Sequence, residues 1–167
     1  GMIEWRSVEA TGKLESVDPG AMTIKTEFDK VKADVCNVIP GQKAGRIAEI
    51  AGLTDTSGYC PIVSDSMRSQ MDDSVYVVGD STIAGDMPKS GFSANSQAKV
   101  CANAVRGALT GSKVFPAKFS NTCWSLIDAD DGVKVGATYE ATDEKIAKVD
   151  GFISETELAD EEAGDRL

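Results

Sequence analysis

Apolar and polar positions along the first forty residues predict β-strands. Residues 3–8 and 31–39 are rich in large apolar side chains, and residues 22–26 alternate between apolar and polar, which is typical of a half-buried strand. The run 31–39 becomes progressively apolar, which predicts a strand covered on both faces. The tripeptide Asp18-Pro19-Gly20 predicts a turn, because proline presets its φ angle and glycine accepts a positive one.

The middle of the chain predicts a short helix and a buried strand. Apolar residues recur at helical spacing over 44–51, and Gly52 follows them as a C-terminal cap. Residues 75–78, with the sequence Val-Tyr-Val-Val, form a short apolar run that predicts a second buried strand.

A longer helix is predicted over residues 94–109. Ser90 or Ser93 is expected to cap its start, and Gly111 closes it. The stripe expected to face a sheet consists mostly of small residues: Ala94, Ala98, Cys101, Ala102, Val105 and Leu109.

The last third of the chain predicts a small antiparallel sheet. Three short strands are expected, over residues 123–127, 133–139 and 145–149. The sequence Asp130-Asp131-Gly132 predicts a hairpin turn between the first two. Residues 155–167 are strongly acidic, which predicts a solvated tail. Trp5 and Trp124 are expected in the core.

Composition narrows the possible functions. With 41% apolar and 26% charged residues the chain is globular, and its net charge of −10 opposes binding to nucleic acid or anionic membranes. There is no histidine, which excludes a Ser-His or Cys-His pair within the chain. No apolar stretch approaches the ~20 residues of a membrane span. The opening Gly1-Met2 is typical of a cleaved tag, so we expect the natural chain to begin earlier.

Cysteine thiols are the remaining candidates for nucleophilic chemistry. The four are Cys36, Cys60, Cys101 and Cys123, and none forms a CxxC pair. Without such a pair, and without histidine, we predict no metal site. Four cysteines allow three disulfide pairings, and their spacing does not choose among them. Cys36 and Cys101 lie in apolar runs and are expected to be buried, and Cys123 is expected to be structural.

The local signal for a ligand site is Gly79-Asp80, directly after the apolar run 75–78. Open α/β sheets bind ligands beyond the carboxyl ends of their strands. Glycine allows a ligand to approach the backbone, and the carboxylate can accept hydrogen bonds from ribose or ribitol hydroxyls. The start of the next helix offers unpaired N–H groups. Because strand-Gly-Asp turns are common, a purely structural turn is the alternative.

A longer segment around Gly79-Asp80 is far more specific for a particular protein family than these two residues are. Residues 75–81, followed by Met-Pro-Lys-Ser-Gly-Phe-Ser-Ala-Asn-Ser-Gln-Ala-Lys-Val at 87–100, resemble the flavoprotein subunit of flavocytochrome c sulfide dehydrogenase, in the pyridine-nucleotide disulfide oxidoreductase superfamily. Residues 37–45, 57–61 and 121–123 resemble further family stretches in the same order. The resemblance covers most of residues 3–139. The chain has no GxGxxG, so it resembles the C-terminal portion of a longer flavoprotein.

The resemblance implies an FAD site. Its residues would be Gly79, Asp80, Met87, Pro88, Lys89 and Ser90. Asp80 would hold the ribitol chain, and the backbone of Pro88 and Lys89 would lie against the pyrimidine edge of the flavin. The helix that follows would direct its N-terminus at the flavin O2, where its dipole stabilises negative charge on the reduced ring. For the Lys89 side chain, a solvated surface position is the alternative.

The resemblance also implies that Cys60 is one half of a redox-active disulfide beside the flavin. Sulfide would attack this disulfide to give a persulfide, and electrons would pass to FAD and then to a c-type cytochrome subunit. The partner cysteine would lie in the missing half, so we expect this chain alone to be inactive. An ordinary loop thiol is the alternative.

These observations together predict a mixture of α/β and α+β structure. It would be part of a doubly wound, glutathione-reductase-like FAD-binding fold followed by a small antiparallel C-terminal domain. The predicted segments are the end of a nicotinamide-type domain (1–30), the second FAD-binding segment (31–112), the C-terminal domain (113–154) and the acidic tail (155–167).

Three functional hypotheses follow. The first is a piece of the sulfide dehydrogenase flavoprotein with weak or absent FAD binding, exposed apolar surface, a tendency to dimerise and, by resemblance, a periplasmic location. The second is a sulfide:quinone reductase relative, against which the polar, acidic end argues. The third is a non-catalytic binding or assembly domain that kept the fold.

Overall fold

The computed structural model describes residues 3–129 and 131–154, and the chain divides between Gly41 and Gln42 into two compact units. The helices are α1 (Val8–Thr11), α2 (Arg46–Ile50) and α3 (Gly91–Thr110), with a 3₁₀ helix at Gly79–Ser81. The strands are β1 (Leu14–Asp18), β2 (Thr23–Thr26), β3 (Lys30–Lys32), β4 (Cys60–Pro61), β5 (Thr82–Ile83), β6 (Lys118–Asp128), β7 (Asp131–Ala141) and β8 (Ile146–Ile153).

The N-terminal unit, which ends at Gly41, contains an antiparallel sheet in the order β1-β2-β3. Ile24 lies opposite Val17 on one side and Val31 on the other. The predicted turn after β1 is confirmed, because the Asp18 carboxylate accepts a hydrogen bond from the amide of Ala21 at 2.9 Å. The alternating run 22–26 forms β2, as predicted.

Two strand predictions in the N-terminal unit are wrong. Residues 3–7 form no strand, and α1 begins after its cap, Ser7. Only the first residues of the run 31–39 are in a strand, and Val35 and Ile39 are 86% and 77% exposed. An apolar run becomes a buried strand only where other strands pair with it and cover it, and no strand in the described residues pairs with residues 33–39. Trp5 is also exposed rather than in a core.

The C-terminal unit, which begins at Gln42, has its main core where α3 meets the C-terminal sheet and the loop that precedes α3. Its buried members are Ile62, Met67, Met87, Val100, Phe119, Ala137, Tyr139 and Ile146. The short helix predicted over 44–51 is confirmed as α2, and Gly52 behind it adopts a positive φ of 70°. Ala44 and Ala48 bury their side chains with Cys60 in a second, smaller cluster.

The strand predicted over 75–78 is wrong. These residues pair locally with the loop before them: the Val77 amide donates to the Met67 carbonyl, and the Ser69 amide donates to the Val75 carbonyl. Among the described residues, the only parallel pairing joins β4 to β5, two residues each. The mixture of helices and antiparallel sheets agrees with the predicted fold class, but the doubly wound FAD-binding fold is not confirmed.

The long helix is confirmed as α3. Ser90 is its N-cap, and Gly111 ends it in the left-handed conformation with φ 68°. The predicted core-facing stripe is wrong, because Ala98 and Leu109 are exposed. The buried residues are instead Ser93, Ser96, Gln97, Val100 and Ala104. The three polar ones are buried because each makes hydrogen bonds to a neighbouring element.

The C-terminal sheet has the order β6-β7-β8, which confirms the three predicted strands, each longer than expected. Phe119 and Tyr139 are paired and buried, whereas Trp124, nearer the hairpin, is exposed and not in the core. The turn residue Asp130 and the predicted tail 155–167 lie outside the described residues. No helix in the described ranges is long and apolar enough to cross a membrane. The predicted segment boundaries stay predictions.

Candidate functional site

A cleft of about 360 Å³ lies between the loop 79–89, the start of α3 and the loop that precedes β4. It is lined by Asp55, Ser57, Tyr59, Gly79, Asp80, Thr82, Ile83, Ala84, Gly85, Met87, Pro88, Lys89, Ser93 and Gln97. Five of the six residues predicted to contact a cofactor are in this lining; the sixth, Ser90, is not. The contiguous motif therefore folds into one concave surface.

Gly79 is held by α3 at the edge of the cleft. Its φ of +78° is a conformation that glycine adopts without strain. Its amide donates to the side-chain oxygen of Gln97 at 2.7 Å, and its carbonyl accepts from the Thr82 hydroxyl at 2.8 Å. The side-chain nitrogen of Gln97 also lies 3.8 Å from the Met87 sulfur. Gln97 thus connects both ends of the cleft loop to the helix.

The side chain of Lys89 contacts three different residues of the cleft lining. Its ammonium group donates to the carbonyls of Asp80 at 2.6 Å and Thr82 at 2.9 Å, and it lies 4.2 Å from the centre of the Tyr59 ring. Burial lowers the pKa of Lys89 below its ordinary value, and the negative charge of Asp80 opposes that shift. Lys89 is an exposed residue whose ammonium group is held by two backbone carbonyls.

One group in the cleft and one at the helix start beside it have unused hydrogen-bonding capacity. The carboxylate of Asp80 is exposed and has no hydrogen-bond or ion-pair partner among the described residues. At the start of α3, Ser90 accepts hydrogen bonds from the amides of Ser93 and Ala94. The amides of Gly91 and Phe92, by contrast, donate to no acceptor in the described part of the chain.

Cys60 lies beside the cleft but does not line it. Its side chain is completely buried with Ala44 and Ala48, while the preceding Tyr59 lines the cleft. Burial raises the pKa of the Cys60 thiol; the charge of Asp55 adds to this shift and that of Lys89 opposes it. The thiol is free, as are those of Cys36, Cys101 and Cys123.

Two of the other cysteines differ from their predictions in exposure. Cys36 and Cys101 are only partly buried rather than buried. Cys123 is exposed in the middle of β6, and its structural role stays a prediction. Burial also raises the pKa of Cys101.

We expect Cys60 to be the slowest of the four thiols to react with iodoacetamide in the folded protein. Only the thiolate reacts, and both burial and a raised pKa oppose it, so its rate should be at least about tenfold below that of Cys123. Raising the pH towards 9 should change this order little, because the pKa of Cys60 lies above its ordinary value of 9.0. Peptide mapping by mass spectrometry measures each rate. In denaturant all four should react alike; equal labelling of Cys60 and Cys123 in the folded chain would contradict the assigned burial.

Several cleft residues were not among the predicted site residues. Asp55 and Ser57 form a tight turn in which the Ser57 hydroxyl and amide both donate to the Asp55 carboxylate, and these bonds lower the pKa of Asp55. The spacing Asp-x-Ser within a loop is a readable signal for such a turn. Gln97 has no comparable signal, because a glutamine in a helix is usually solvent-exposed.

Two family models match the chain. Residues 116–165 match the model described as flavocytochrome c sulphide dehydrogenase, flavin-binding, and residues 1–40 match the model described as sulfide dehydrogenase [flavocytochrome c] flavoprotein chain, central. Together they cover more than half of the chain. The protein is therefore a flavoprotein of the oxidoreductase type. It belongs to the family of the flavoprotein chain of flavocytochrome c sulfide dehydrogenase.

Proposed function

We propose that this chain forms the C-terminal part of an FAD-dependent sulfide dehydrogenase flavoprotein, in which the cleft at 79–97 holds one portion of the FAD. The observation that carries the proposal is the convergence of Gly79, Asp80, Met87, Pro88 and Lys89 on a single cleft. The match of residues 116–165 to a flavin-binding family model supports it independently.

The cleft and the helix start beside it fit the groups of FAD. The unpartnered Asp80 carboxylate in the cleft is an acceptor for ribitol hydroxyls. The free amides of Gly91 and Phe92, which lie outside the cleft lining at the start of α3, are donors for an electron-rich ring edge. Gly79 lines the cleft without a side chain, and a Cβ at this position would meet the Cβ of Ala94 on α3 at 3.4 Å. A volume of about 360 Å³ accommodates only part of a dinucleotide, so the remainder of the FAD would bind elsewhere in the flavoprotein.

Bound FAD would accept an electron pair from the substrate. The residues of this chain would favour that step electrostatically. The start of α3 carries a partial positive charge, and the ammonium of Lys89 lies nearby, held by two carbonyls. Both stabilise negative charge in the cleft, and the hydrogen bonds that hold Lys89 keep its charge from reorganising during the reaction.

Cys60 is the proposed sulfide-reactive residue, as half of a disulfide whose other cysteine lies elsewhere in the flavoprotein. Hydrosulfide would attack one sulfur of that disulfide. The cysteine–cysteine S–S bond breaks, a new S–S bond forms between substrate and protein, and the second cysteine leaves as a thiolate with the electron pair. As a free thiol Cys60 is buried, so this role requires that the disulfide state brings its sulfur to the cleft beside Tyr59.

The electron acceptor and the location belong to the same proposal. The name of the matched family pairs the flavoprotein with a cytochrome c, and we extend that pairing to this chain as a c-type cytochrome partner in the periplasm. Cell fractionation and co-purification of a haem protein with the tagged flavoprotein would test both. Dimerisation of the chain alone is a further proposal, since apolar residues such as Trp124, Leu126 and Ile153 are exposed.

FAD titration tests the proposed cofactor site directly. We expect weak or no binding by this chain alone and strong binding once the preceding part of the flavoprotein is added, measured by quenching of flavin fluorescence. Tight binding by the chain alone would mean that the site is self-contained. Absence of binding in both samples would overturn the proposal.

Replacing Asp80 with alanine should weaken FAD binding about tenfold, because the ribitol hydroxyls would lose a charged hydrogen-bond acceptor. The fold should be unaffected, since the Asp80 side chain makes no contact on which the described structure depends. Asp65→Ala is the matched control, because Asp65 is an exposed aspartate outside the cleft lining. Equal affinities for the two variants would exclude Asp80 from the FAD site.

A further inference from the structure

The C-terminal sheet contributes no residue to the lining of the cleft, although it lies in the region that matches the flavin-binding family model. It touches the cleft loop through Ile146 of β8, which packs on Gly85, and it reaches the start of α3 through β6. Asn121 on β6 is 5% exposed, and its side-chain oxygen accepts hydrogen bonds from two hydroxyls at the start of α3. One belongs to Ser90, the helix cap, and the other, at 3.0 Å, to Ser93, which lines the cleft.

Two neighbouring contacts reinforce this connection. The ring of Trp124, also on β6, lies 6.5 Å from the ring of Phe92 in the first turn of α3. The amide of Ser120 donates to the hydroxyl of Ser96 at 3.0 Å. The first two turns of α3 are therefore held on β6, and Asn121 bonds both the cap, Ser90, and the cleft residue Ser93.

We propose that Asn121 is a positioning residue for the flavin site: through Ser90 and Ser93 it fixes the start of α3 against the cleft. The inference rests on the proposed function and adds a role for the C-terminal region in it. Ser90 can cap α3 only while its hydroxyl is oriented to accept from the Ser93 amide. Asn121 sets that orientation, because its side-chain oxygen accepts the hydrogen bond of the Ser90 hydroxyl. The lone pairs of the Ser90 oxygen then remain available to the Ser93 amide.

A loosened start of α3 should affect the binding of reduced FAD and of oxidised FAD to different extents. Oxidised FAD is neutral at its ring, whereas the reduced ring tends to carry negative charge, which the start of α3 stabilises. A misplaced helix start should therefore weaken the binding of reduced FAD more than that of oxidised FAD. Loss of affinity through a general disturbance of the fold would instead weaken both alike.

The test compares Asn121→Ala with the unaltered sequence, both in this chain and in the flavin-loaded flavoprotein that contains it. In this chain, amide exchange of Ser93 and Ala94 should accelerate at least about threefold, because the cap is loosened. In the loaded flavoprotein, affinity for reduced FAD should fall about tenfold and for oxidised FAD no more than about threefold. A redox titration of the bound flavin measures the ratio of these two affinities. We expect the midpoint potential of the Asn121→Ala flavoprotein to be lower than that of the unaltered one.

Thr122→Ala is the matched control. Thr122 is the next residue on β6, and its side chain makes no hydrogen bond within the described residues. It should change neither the exchange rates nor the midpoint potential. The inference is overturned if Asn121→Ala leaves the midpoint potential unchanged, or if exchange at Ser93 and Ala94 stays at its original rate. Failure of the proposed function looks different, because the unaltered flavoprotein would then bind no flavin at all.

Discussion

Gly85→Ala should destabilise the C-terminal unit by about 3 kcal/mol or more. Gly85 adopts a φ of +60°, which strains any residue with a Cβ. The added methyl group would also lie 2.4 Å from the carbonyl oxygen and 3.0 Å from the nitrogen of Ile146, and backbone atoms in a sheet cannot move aside cheaply. The midpoint of urea denaturation, followed by circular dichroism, measures the loss.

The control for this prediction is Gly91→Ala. Gly91 has open space around the position of a Cβ and is the first residue of α3, so alanine there should be neutral or slightly stabilising. If the two variants unfold at the same urea concentration, the close packing of the cleft loop on β8 is wrong.

Gly85 also explains how the cleft loop is joined to the sheet. The next residue, Asp86, donates its amide to the Ile146 carbonyl at 2.9 Å. Its carboxylate accepts from the Lys145 ammonium at 2.6 Å and from the Lys148 amide at 3.1 Å, and these bonds lower the pKa of Asp86. A side chain at position 85 would separate these partners, so the same substitution should also impair flavin binding.

Gln97→Met should cost about 1–3 kcal/mol of folding free energy, although methionine has nearly the same volume. The Gln97 side chain is 2% exposed, and its oxygen is the acceptor for the Gly79 amide at 2.7 Å. Methionine would fill the space but leave that amide without a partner at the edge of the cleft. Thermal and urea unfolding give the change in stability, and FAD titration shows whether the cleft loop has moved.

Two comparisons make the Gln97 result interpretable. Gln97→Ala should cost more, about 2–4 kcal/mol, because it adds a cavity to the lost hydrogen bond. Gln42→Met is the surface control, since Gln42 is an exposed glutamine of the same unit that lies outside the cleft lining. A Gln97→Met protein as stable as the original chain would mean that the Gly79 amide finds another acceptor, and that Gln97 does not shape the loop.

Local signals predicted the turn residues and the helix beside the cleft, whereas residues 87–90 were assigned to the cofactor site by the family resemblance, and that assignment stays a prediction. Most residues from Gly79 to Lys89 line one cleft because a short loop returns the chain to the start of α3. Tyr59, Gln97 and Asn121 were missed as site residues for one reason. Each contributes through a partner far along the chain, and neither composition nor spacing encodes such a contact.

The wrong strand predictions have a related cause. Residues 31–39 and 75–78 have the apolar character of buried strands, but a strand exists only where a neighbour supplies backbone hydrogen bonds. Within the described residues, 75–78 pairs with its own preceding loop, and 33–39 pairs with no strand. The apolar character of both runs is real, but no described strand pairs with them to form a sheet over 33–39 or 75–78.

The sequence by itself determined the elements that depend on near neighbours: the capped helix α3, the turn at Asp18, the three strands of the C-terminal sheet and the family resemblance carried by residues 87–100. Only the tertiary structure decided which face of α3 is buried, that Cys60 is enclosed, and that Asn121 holds the start of α3. The physical reason is that capping and periodicity act within a few residues. Burial of a polar side chain, by contrast, is favourable only when a distant partner satisfies its hydrogen bonds.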